Sequence, residues 1–340
     1  MHINGSEMAE KRNWIRYTVI LLLLILPIME IYLQLRENGL PKYKPFVPDL
    51  GWQNIPGTIC SDEDIGILEM TWENRQRASR FPQNKKSPMR VACIGCSYTK
   101  GRGVRDEETF VWKLNQRFPQ ATFDNLGVTG YGPYQCMMLL EDILKKQKYD
   151  LVLYFSIDDH INRFVRPEPI WITEFSCDCL SIMPWVELGP DGSNIYHPAT
   201  SWAWPGSRTW LSINFLNRIA VYLNKLLHQA PPPRGIVRIN IYYNILLRMQ
   251  QICQQHHTDF KVIALENNYS ILPPFPSEIN NFSVIYPLSP IHLGPEYRVN
   301  NKPENHPNRI IHNYWASAIA KELAKTPQFA KYEANCQRTP

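Results

Sequence analysis

The sequence lacks any clustering of charge of one sign, although it carries a small excess of basic residues. Its 340 residues include 36 Lys and Arg and 31 Asp and Glu, which gives a formal net charge of +5 at pH 7. Residues of both signs are interspersed along the chain, so the basic stripe typical of a nucleic-acid-binding surface is missing. We therefore predict no nucleic-acid partner.

The chain also lacks an internal repeat of the length found in solenoid proteins and a strong metal-binding motif. Eight cysteines are present. Cys93-x-x-Cys96 stands at a predicted strand end, and Cys177-x-Cys179 has neither the usual zinc spacing nor a matching second pair. Eight cysteines would permit four disulfides outside the cytoplasm, but the count alone establishes none. No metal or organic cofactor is predicted.

Long hydrophobic runs are absent except near the N-terminus. Residues 17–29 are almost entirely apolar, and the run continues past Glu30 to Leu33. A helix over residues 14–34 would have about the 20 residues needed to cross the hydrocarbon layer of a membrane. No small-residue cleavage site follows, which favours an uncleaved signal-anchor; a cleaved leader and a buried core helix are the alternatives.

This run sets the predicted domain organisation. Basic residues before the run favour a cytoplasmic N-terminus, although further basic residues beyond it reduce the bias. We expect a single-pass membrane protein whose main domain is extracytoplasmic, either periplasmic or extracellular. The predicted segments are a cytoplasmic N-terminus (1–13), a transmembrane anchor (14–34), a linker and N-terminal extension (35–88) and a main domain (89–330) with an insertion (166–206).

From Met89 onward, predicted strands alternate with predicted helices. Hydrophobic runs such as "LVLYFSI" are typical of central strands that are covered on both faces. Strands separated by helices indicate a parallel sheet with helices on both sides, which is an α/β fold. The predicted strands are 89–96, 122–126, 151–157 and 260–266, and the predicted helices are 107–118, 134–148, 208–228, 237–255 and 308–325.

Ser97 ends the stretch "VACIGCS" at the predicted carboxyl end of a strand. Ligands of parallel sheets collect at this edge, where helices begin and backbone N–H groups point outward. A serine here could instead cap the following turn. The same edge receives "NLGVTGYGPYQ", residues 125–135, whose glycines allow the backbone to turn its N–H groups toward a ligand. A glycine-rich turn without function is the alternative.

His306 lies in "PENHPNRIIH", just before the predicted last helix. A neutral imidazole takes a proton from a serine hydroxyl and returns it to a leaving group. Glu304 lies two residues earlier, where it could influence that histidine. Taken alone, a histidine in such a position is more often structural or solvated than catalytic.

Together these three segments resemble the SGNH hydrolases, the GDSL-like esterase and acyl-hydrolase superfamily, over roughly residues 89–324. The resemblance implies a flavodoxin-like three-layer α/β/α sandwich with a central parallel sheet. It also implies that Ser97 is the nucleophile, that Ser97 and Gly130 supply oxyanion-hole N–H groups, and that His306 is the base. An ester of a small molecule, a glycan or a lipid would be the substrate, without a cofactor.

The chain departs from the family pattern at three places. Cys96 stands where the first motif commonly has Asp, and its thiol is a rival nucleophile. Asp158, in "YFSIDDHINR", stands where the family has an asparagine that donates to the oxyanion, and an ionised carboxylate has no donor hydrogen. His160 could replace that donor. Pro303 occupies the common position of the triad acid, which leaves Glu304 or a Ser-His dyad.

Three further interpretations remain open at this stage. A hydroxyl acceptor in place of water would make the chain an O-acyltransferase acting on a glycan. A metal-dependent hydrolase would use Asp158, Asp159 and His160 with a distant histidine, His292 or His312. A binding protein would keep the SGNH fold without catalysis. The tryptophans of the insertion suit sugar stacking, lipid contact or an internal core; these are Trp171, Trp185, Trp202 and Trp204.

Overall fold

The computed structural model describes residues 5–36, 47–54, 60–62, 66–68, 72–73, 76–77, 87–163, 165–168, 180–202, 210–228, 233–266, 283–285, 294–301 and 306–330. The chain forms two compact units. The first comprises Met1–Trp52, Glu168–Met183 and Ala199–Ala230, and the second comprises Gln53–Pro167, Pro184–Pro198 and Pro231–Pro340.

The helices and strands of both units are numbered in chain order. The helices are α1 (Gly5–Arg36), α2 (Ser97–Lys100), α3 (Phe110–Arg117), α4 (Pro133–Lys146), α5 (Leu211–His228), α6 (Gly235–Gln255) and α7 (Arg309–Ala324). The strands are β1 (Cys60–Asp62), β2 (Gly66–Leu68), β3 (Trp72–Glu73), β4 (Gln76–Arg77), β5 (Met89–Gly95), β6 (Ala121–Asn125), β7 (Leu151–Ser156), β8 (Leu180–Ile182), β9 (Trp185–Leu188), β10 (Asn194–His197), β11 (Thr200–Trp202), β12 (Asp259–Ala264) and β13 (Ser283–Ile285).

The second unit is built on a seven-stranded sheet in the order β13-β12-β7-β5-β6-β4-β3. The five strands from β13 to β6 run parallel, and β5 lies between β6 and β7. Cys93 of β5 pairs with Asn125 on one side and Leu153 on the other. The carboxyl ends of these central strands therefore meet at one edge of the sheet. The predicted parallel sheet is confirmed.

Helices cover both faces of this sheet. On one face, alternate strand residues such as Val91, Leu153 and Phe155 form a buried cluster with side chains of α3 and α7. Their neighbours Ile94 and Val152 are also fully buried, although the two-residue period of a strand directs them to the other face. There α4 and α6 pack together and contact β5 and β12. The result is the predicted three-layer α/β/α arrangement.

The sheet includes residues that precede Met89, where the sequence suggested that the globular body begins. β3 and β4 pair antiparallel, and Arg77 of β4 pairs with Asn125 of β6. Each of these strands has two residues, which is too short for an alternating pattern to show in the sequence. The segment predicted as linker and extension thus supplies an edge of the central sheet.

In the first unit, α1 packs on α5. Glu30, which interrupts the apolar run, is buried and accepts hydrogen bonds from the backbone N–H groups of Leu211 (3.1 Å) and Ser212 (2.7 Å) at the start of α5. The predicted anchor at 14–34 lies within α1. Among the residues that the structure describes, no helix is long and apolar enough to cross a membrane, so this prediction is not supported.

The predicted insertion, 166–206, contains four short strands. β8 pairs with β11 in the first unit, and β9 pairs with β10 in the second. Trp185 stacks on His197 at 3.9 Å between ring centroids, which places one of the four tryptophans in a contact within its own hairpin. Trp171, Trp204 and the side chain of Trp202 lie outside the described residues.

Candidate functional site

Ser97 occupies the tight turn that follows β5. It is the first residue of the four-residue helix α2 and is 4% exposed. Gly95 permits this turn, since a Cβ atom there would come within 2.1 Å of Thr99 Oγ1. Cys96, not Ser97, is the N-cap residue of α2. The capping role that the sequence left open is therefore not what the Ser97 side chain does.

The Ser97 hydroxyl forms a hydrogen bond with His306. The distance from Ser97 Oγ to His306 Nε2 is 2.8 Å, across 209 positions of the chain. The His306 main chain is held in place because its carbonyl accepts a hydrogen bond from the N–H of Val299 at 2.9 Å. Asn308 then caps α7 by accepting from the N–H of Ile310. The folded chain thus brings together the hydroxyl and imidazole on which the sequence-based hypothesis depends.

The surroundings of His306 favour its neutral form. Burial is the largest cause and, together with the field of nearby cations, lowers the pKa of His306 to about 3. A neutral imidazole at pH 7 is free to accept the serine proton. The cations that contribute are Arg102, Arg163, Lys100 and Arg298.

Gly130 lies in the loop that follows β6. Its φ of 77° is in the left-handed region, which glycine adopts without strain. The loop packs closely on α2, because a Cβ atom at Gly127 would come within 2.2 Å of the backbone nitrogen of Lys100. Lys100 is buried, and its ammonium donates to Thr129 Oγ1 at 3.0 Å. The loop that follows β6 and the turn that contains Ser97 therefore pack directly against each other.

Asp158 begins a short 3₁₀ turn after β7. Its backbone N–H donates to Glu266 Oε2 at 3.3 Å, so this amide is directed to the end of β12. Burial, with the Asp158 carboxylate as the next cause, raises the pKa of Glu266. The side chain at the position compared with the SGNH asparagine is a carboxylate, which carries no amide donor. The departure noted in the sequence persists in the folded chain.

His160 does not join the Ser97–His306 pair. Its Nδ1 hydrogen-bonds the hydroxyl of Tyr154 at 2.7 Å, and the two rings stack. The ring is fully buried, and burial lowers its pKa well below the usual value. The Nε2 atom has no hydrogen-bond partner among the described residues. Nothing in these contacts links His160 to the carbonyl position of a substrate.

The remaining sequence candidates fall into two groups. Glu304 and His292 lie outside the described residues. Cys96 is fully buried, and burial raises the pKa of its thiol, which is the opposite of what a reactive cysteine needs. His312 accepts a hydrogen bond at Nδ1 from the N–H of Phe110 at 3.2 Å. Within the described ranges, no group of three His, Cys, Asp or Glu side chains is arranged to hold a metal ion.

Sequence reasoning missed several side chains beside the pair. Tyr98 packs edge-on against His306 at 5.6 Å and stacks on Trp315 at 5.9 Å. Its hydroxyl accepts from Arg298 Nη1 at 2.9 Å. Arg163 forms an ion pair with Asp159 at 2.7 Å and donates to the carbonyl of Tyr131 at 2.8 Å. The spacing of Asp159 and Arg163 by four residues was a signal for their pairing; the contact of Tyr98 with Arg298 has no sequence signature.

No protein-family model matches the chain, and the comparison with curated proteins gives no match. Solved structures do match. They include a member of the lipolytic protein G-D-S-L family from Veillonella parvula DSM 2008 (11% identity, covering 70% of this chain and 100% of that chain, TM-score 0.36). Another is the psychrotrophic esterase EstA from Pseudoalteromonas sp. (12% identity, covering 69% of this chain and 99% of that chain, TM-score 0.39). A third is a two-domain esterase active on acetylated mannans (14% identity, covering 70% of this chain and 49% of that chain, TM-score 0.32).

Proposed function

We propose that this chain is a serine-dependent ester hydrolase of the SGNH type. The observation that carries the proposal is the 2.8 Å hydrogen bond between Ser97 Oγ and His306 Nε2 at the carboxyl edge of a parallel sheet. A serine hydroxyl is a weak nucleophile unless a base within hydrogen-bond reach accepts its proton. The low pKa of His306 supports the proposal because it keeps that base unprotonated.

In the proposed reaction, Ser97 Oγ attacks the ester carbonyl while His306 Nε2 takes the hydroxyl proton. The tetrahedral intermediate carries its negative charge on the former carbonyl oxygen, and the backbone N–H groups of Ser97 and Gly130 are the proposed donors to it. Ser97 is the first residue of α2, so its N–H has no acceptor within that helix. His306 then gives its proton to the departing alkoxide, leaving an acyl-serine.

The second half of the reaction releases the acid. His306 takes a proton from water, the resulting hydroxide attacks the acyl-serine, and the proton returns to Ser97 Oγ as the carboxylic acid leaves. A hydroxyl of a glycan in place of water would give acyl transfer by the same steps. Glu304 is the proposed group that orients His306. The substrate proposed from the sequence resemblance is a small-molecule, glycan or lipid ester.

A serine-directed fluorophosphonate tests the proposal. The full chain is treated with the probe, and the adduct is located by peptide mass spectrometry. We expect one modified peptide, containing Ser97, and loss of labelling by at least about a thousandfold in Ser97→Ala and His306→Ala, because each removes half of the activated pair. Hydrolysis of p-nitrophenyl acetate should fall in parallel.

Two controls separate the rival interpretations. The Cys96→Ala variant should be labelled at Ser97 as the wild type is, since the Cys96 thiol is buried and its pKa is raised. Treatment with a chelator should also leave labelling and hydrolysis unchanged, whereas a metal-dependent hydrolase would lose hydrolysis. A folded wild-type chain that takes up no probe and hydrolyses no ester would refute the proposal and favour a binding protein with the same fold.

A further inference from the structure

Arg77 belongs to the part of the chain that precedes the predicted catalytic domain, yet its backbone is part of the central sheet. It pairs in register with Asn125, the last residue of β6. The loop that contains Gly130 begins directly after Asn125. The position of Arg77 is therefore fixed relative to the strand end from which that loop departs.

The guanidinium of Arg77 reaches from this strand into the turn that contains Ser97. The residue is 1% exposed. Nη1 donates to the carbonyl of Lys100 at 2.7 Å and also to the carbonyl of Gly101. Nη2 donates to the carbonyl of Val104 at 2.5 Å, and Nε donates to Asp106 Oδ1 at 2.6 Å. Three of these four acceptors are main-chain carbonyls of residues 100–104.

These carbonyls matter because α2 is too short to hold itself in place. It has four residues, and the last carbonyls of any helix have no N–H donor within the helix. Arg77 supplies a donor to the last carbonyl of α2, that of Lys100, and donors to the carbonyls of Gly101 and Val104 that follow the helix. Gly101 adopts φ 79°, and a Cβ atom there would lie 2.9 Å from Arg77 Nη1. The guanidinium therefore packs directly against the backbone of this turn.

The same contacts connect the serine turn to the glycine loop. The Lys100 carbonyl also accepts from Asn125 Nδ2 at 3.5 Å, and Asn125 Oδ1 accepts from the N–H of Gly127 at 3.1 Å. Arg77 is therefore joined to the Gly130 loop through its backbone partner Asn125 and to the Ser97 turn through its side chain. The buried charge is paired with Asp106.

We propose that Arg77 is a positioning residue for the reaction: its buried guanidinium holds α2, and with it the Ser97 hydroxyl, in register with His306 and Gly130. This inference rests on the proposed function. Its physical basis is that reacting groups displaced by about 1 Å lose about a hundredfold in rate. A lysine in place of Arg77 keeps the charge but has a single nitrogen and cannot reach four acceptors in a planar arrangement.

The test compares Arg77→Lys with Arg90→Lys in the full chain. Arg90 is the control because it also lies on the central sheet, and its partly exposed side chain pairs with Asp124 at 2.7 Å and lies over the Tyr149 ring, both outside residues 97–106. Fluorophosphonate labelling is followed to saturation, so that the limiting rate constant and the probe concentration at half-saturation are measured separately. Rates are corrected for the folded fraction measured by circular dichroism at the same temperature.

We expect Arg77→Lys to lower the limiting rate constant about 10- to 100-fold with little change in the half-saturating concentration, and Arg90→Lys to change neither by more than about twofold. Native-state hydrogen exchange should show faster exchange at the amides of Gly101 and Arg102 in Arg77→Lys only, since both donate to the Ser97 carbonyl. A purely structural Arg77 would lower the melting temperature without changing the rate constant of the folded protein.

If Arg77→Lys does not fold, Asp106→Asn replaces it, because the amide keeps an acceptor for Nε while the ion pair is lost. A several-fold lower limiting rate with faster exchange at Gly101 is then expected. Folded Arg77→Lys or Asp106→Asn that labels at the wild-type rate overturns the positioning role and leaves the proposed function intact. Absence of labelling in the wild-type chain refutes the proposed function, while unchanged amide exchange in the variants refutes the positioning role separately.

Discussion

The pKa of His306 leads to a pH dependence that differs from that of an ordinary serine–histidine pair. With a pKa of about 3, the imidazole is about 99% neutral at pH 5, whereas with a reference pKa of about 6.5 it would be about 3% neutral. The rate of Ser97 labelling should therefore be nearly equal at pH 5 and pH 7. An unperturbed histidine would make labelling about 25-fold slower at pH 5 than at pH 7.

Part of the lowering of the His306 pKa comes from nearby cationic side chains, and a substitution can remove one of these charges. After burial, Arg102 is the largest contributor to the lowered pKa. Arg102→Gln should raise the pKa of His306 and move the acidic limb of the labelling profile to higher pH. Arg309→Gln removes an exposed cation at the start of α7 and is the matched control. The reasoning fails if folded wild-type protein loses labelling with an apparent pKa near 6.5, or if both variants move the limb equally.

Three further predictions concern single residues. Asp158→Asn removes the carboxylate that the resemblance predicts at the oxyanion position and adds an amide donor, so p-nitrophenyl acetate hydrolysis should rise by up to about a hundredfold; a fall would show that the carboxylate is needed. Gly130→Ala should lower the free energy of unfolding by about 1 kcal/mol or more and reduce labelling, because φ is 77°; denaturant titration measures the first effect. Burial lowers the pKa of His312 to about 3. Between about pH 6.5 and 3 the unfolded chain therefore binds one more proton at this residue than the folded chain does. The contribution of His312 to the free energy of unfolding is fully present above pH 6.5 and falls by about 1.4 kcal/mol for each pH unit below it within that range. His312→Gln keeps an acceptor for the N–H of Phe110. In urea titrations at several pH values, this variant should show a pH dependence of the free energy of unfolding that corresponds to about one proton fewer.

The central part of the fold was predictable because its signals are local. Fully apolar runs separated by amphipathic helices specify buried parallel strands, and every predicted strand of this kind lies in the sheet. The antiparallel edge formed by β3 and β4 was not predictable. A two-residue strand contains no periodicity, and its pairing with β6 depends on contacts between segments about 48 positions apart.

The candidate site divides in the same way. Ser97 and His306 could be predicted because each lies in a short motif with a chemical reason for its residue types. Arg77 and Arg298 carry no such motif, since their roles come from the carbonyls and the hydroxyl that the folded chain places beside them. The membrane anchor was predicted from hydropathy alone, and the extracytoplasmic location of the catalytic domain remains a prediction.

The cations around His306 act on two steps of the proposed reaction in opposite directions. By lowering the pKa of the imidazole, they make it a weaker base, which slows removal of the Ser97 proton. In the proposed reaction, the same positive field stabilises the negative charge that develops on the carbonyl oxygen, near which the SGNH resemblance predicts Asp158 in place of an amide donor. Arg163 is bonded to the carbonyl of Tyr131, next to Gly130, and lies closest in sequence to Asp158 among these cations. If Asp158 lies at the oxyanion position that the resemblance predicts, the cations that offset its carboxylate also make His306 a weaker base, so the proposed site couples these two properties.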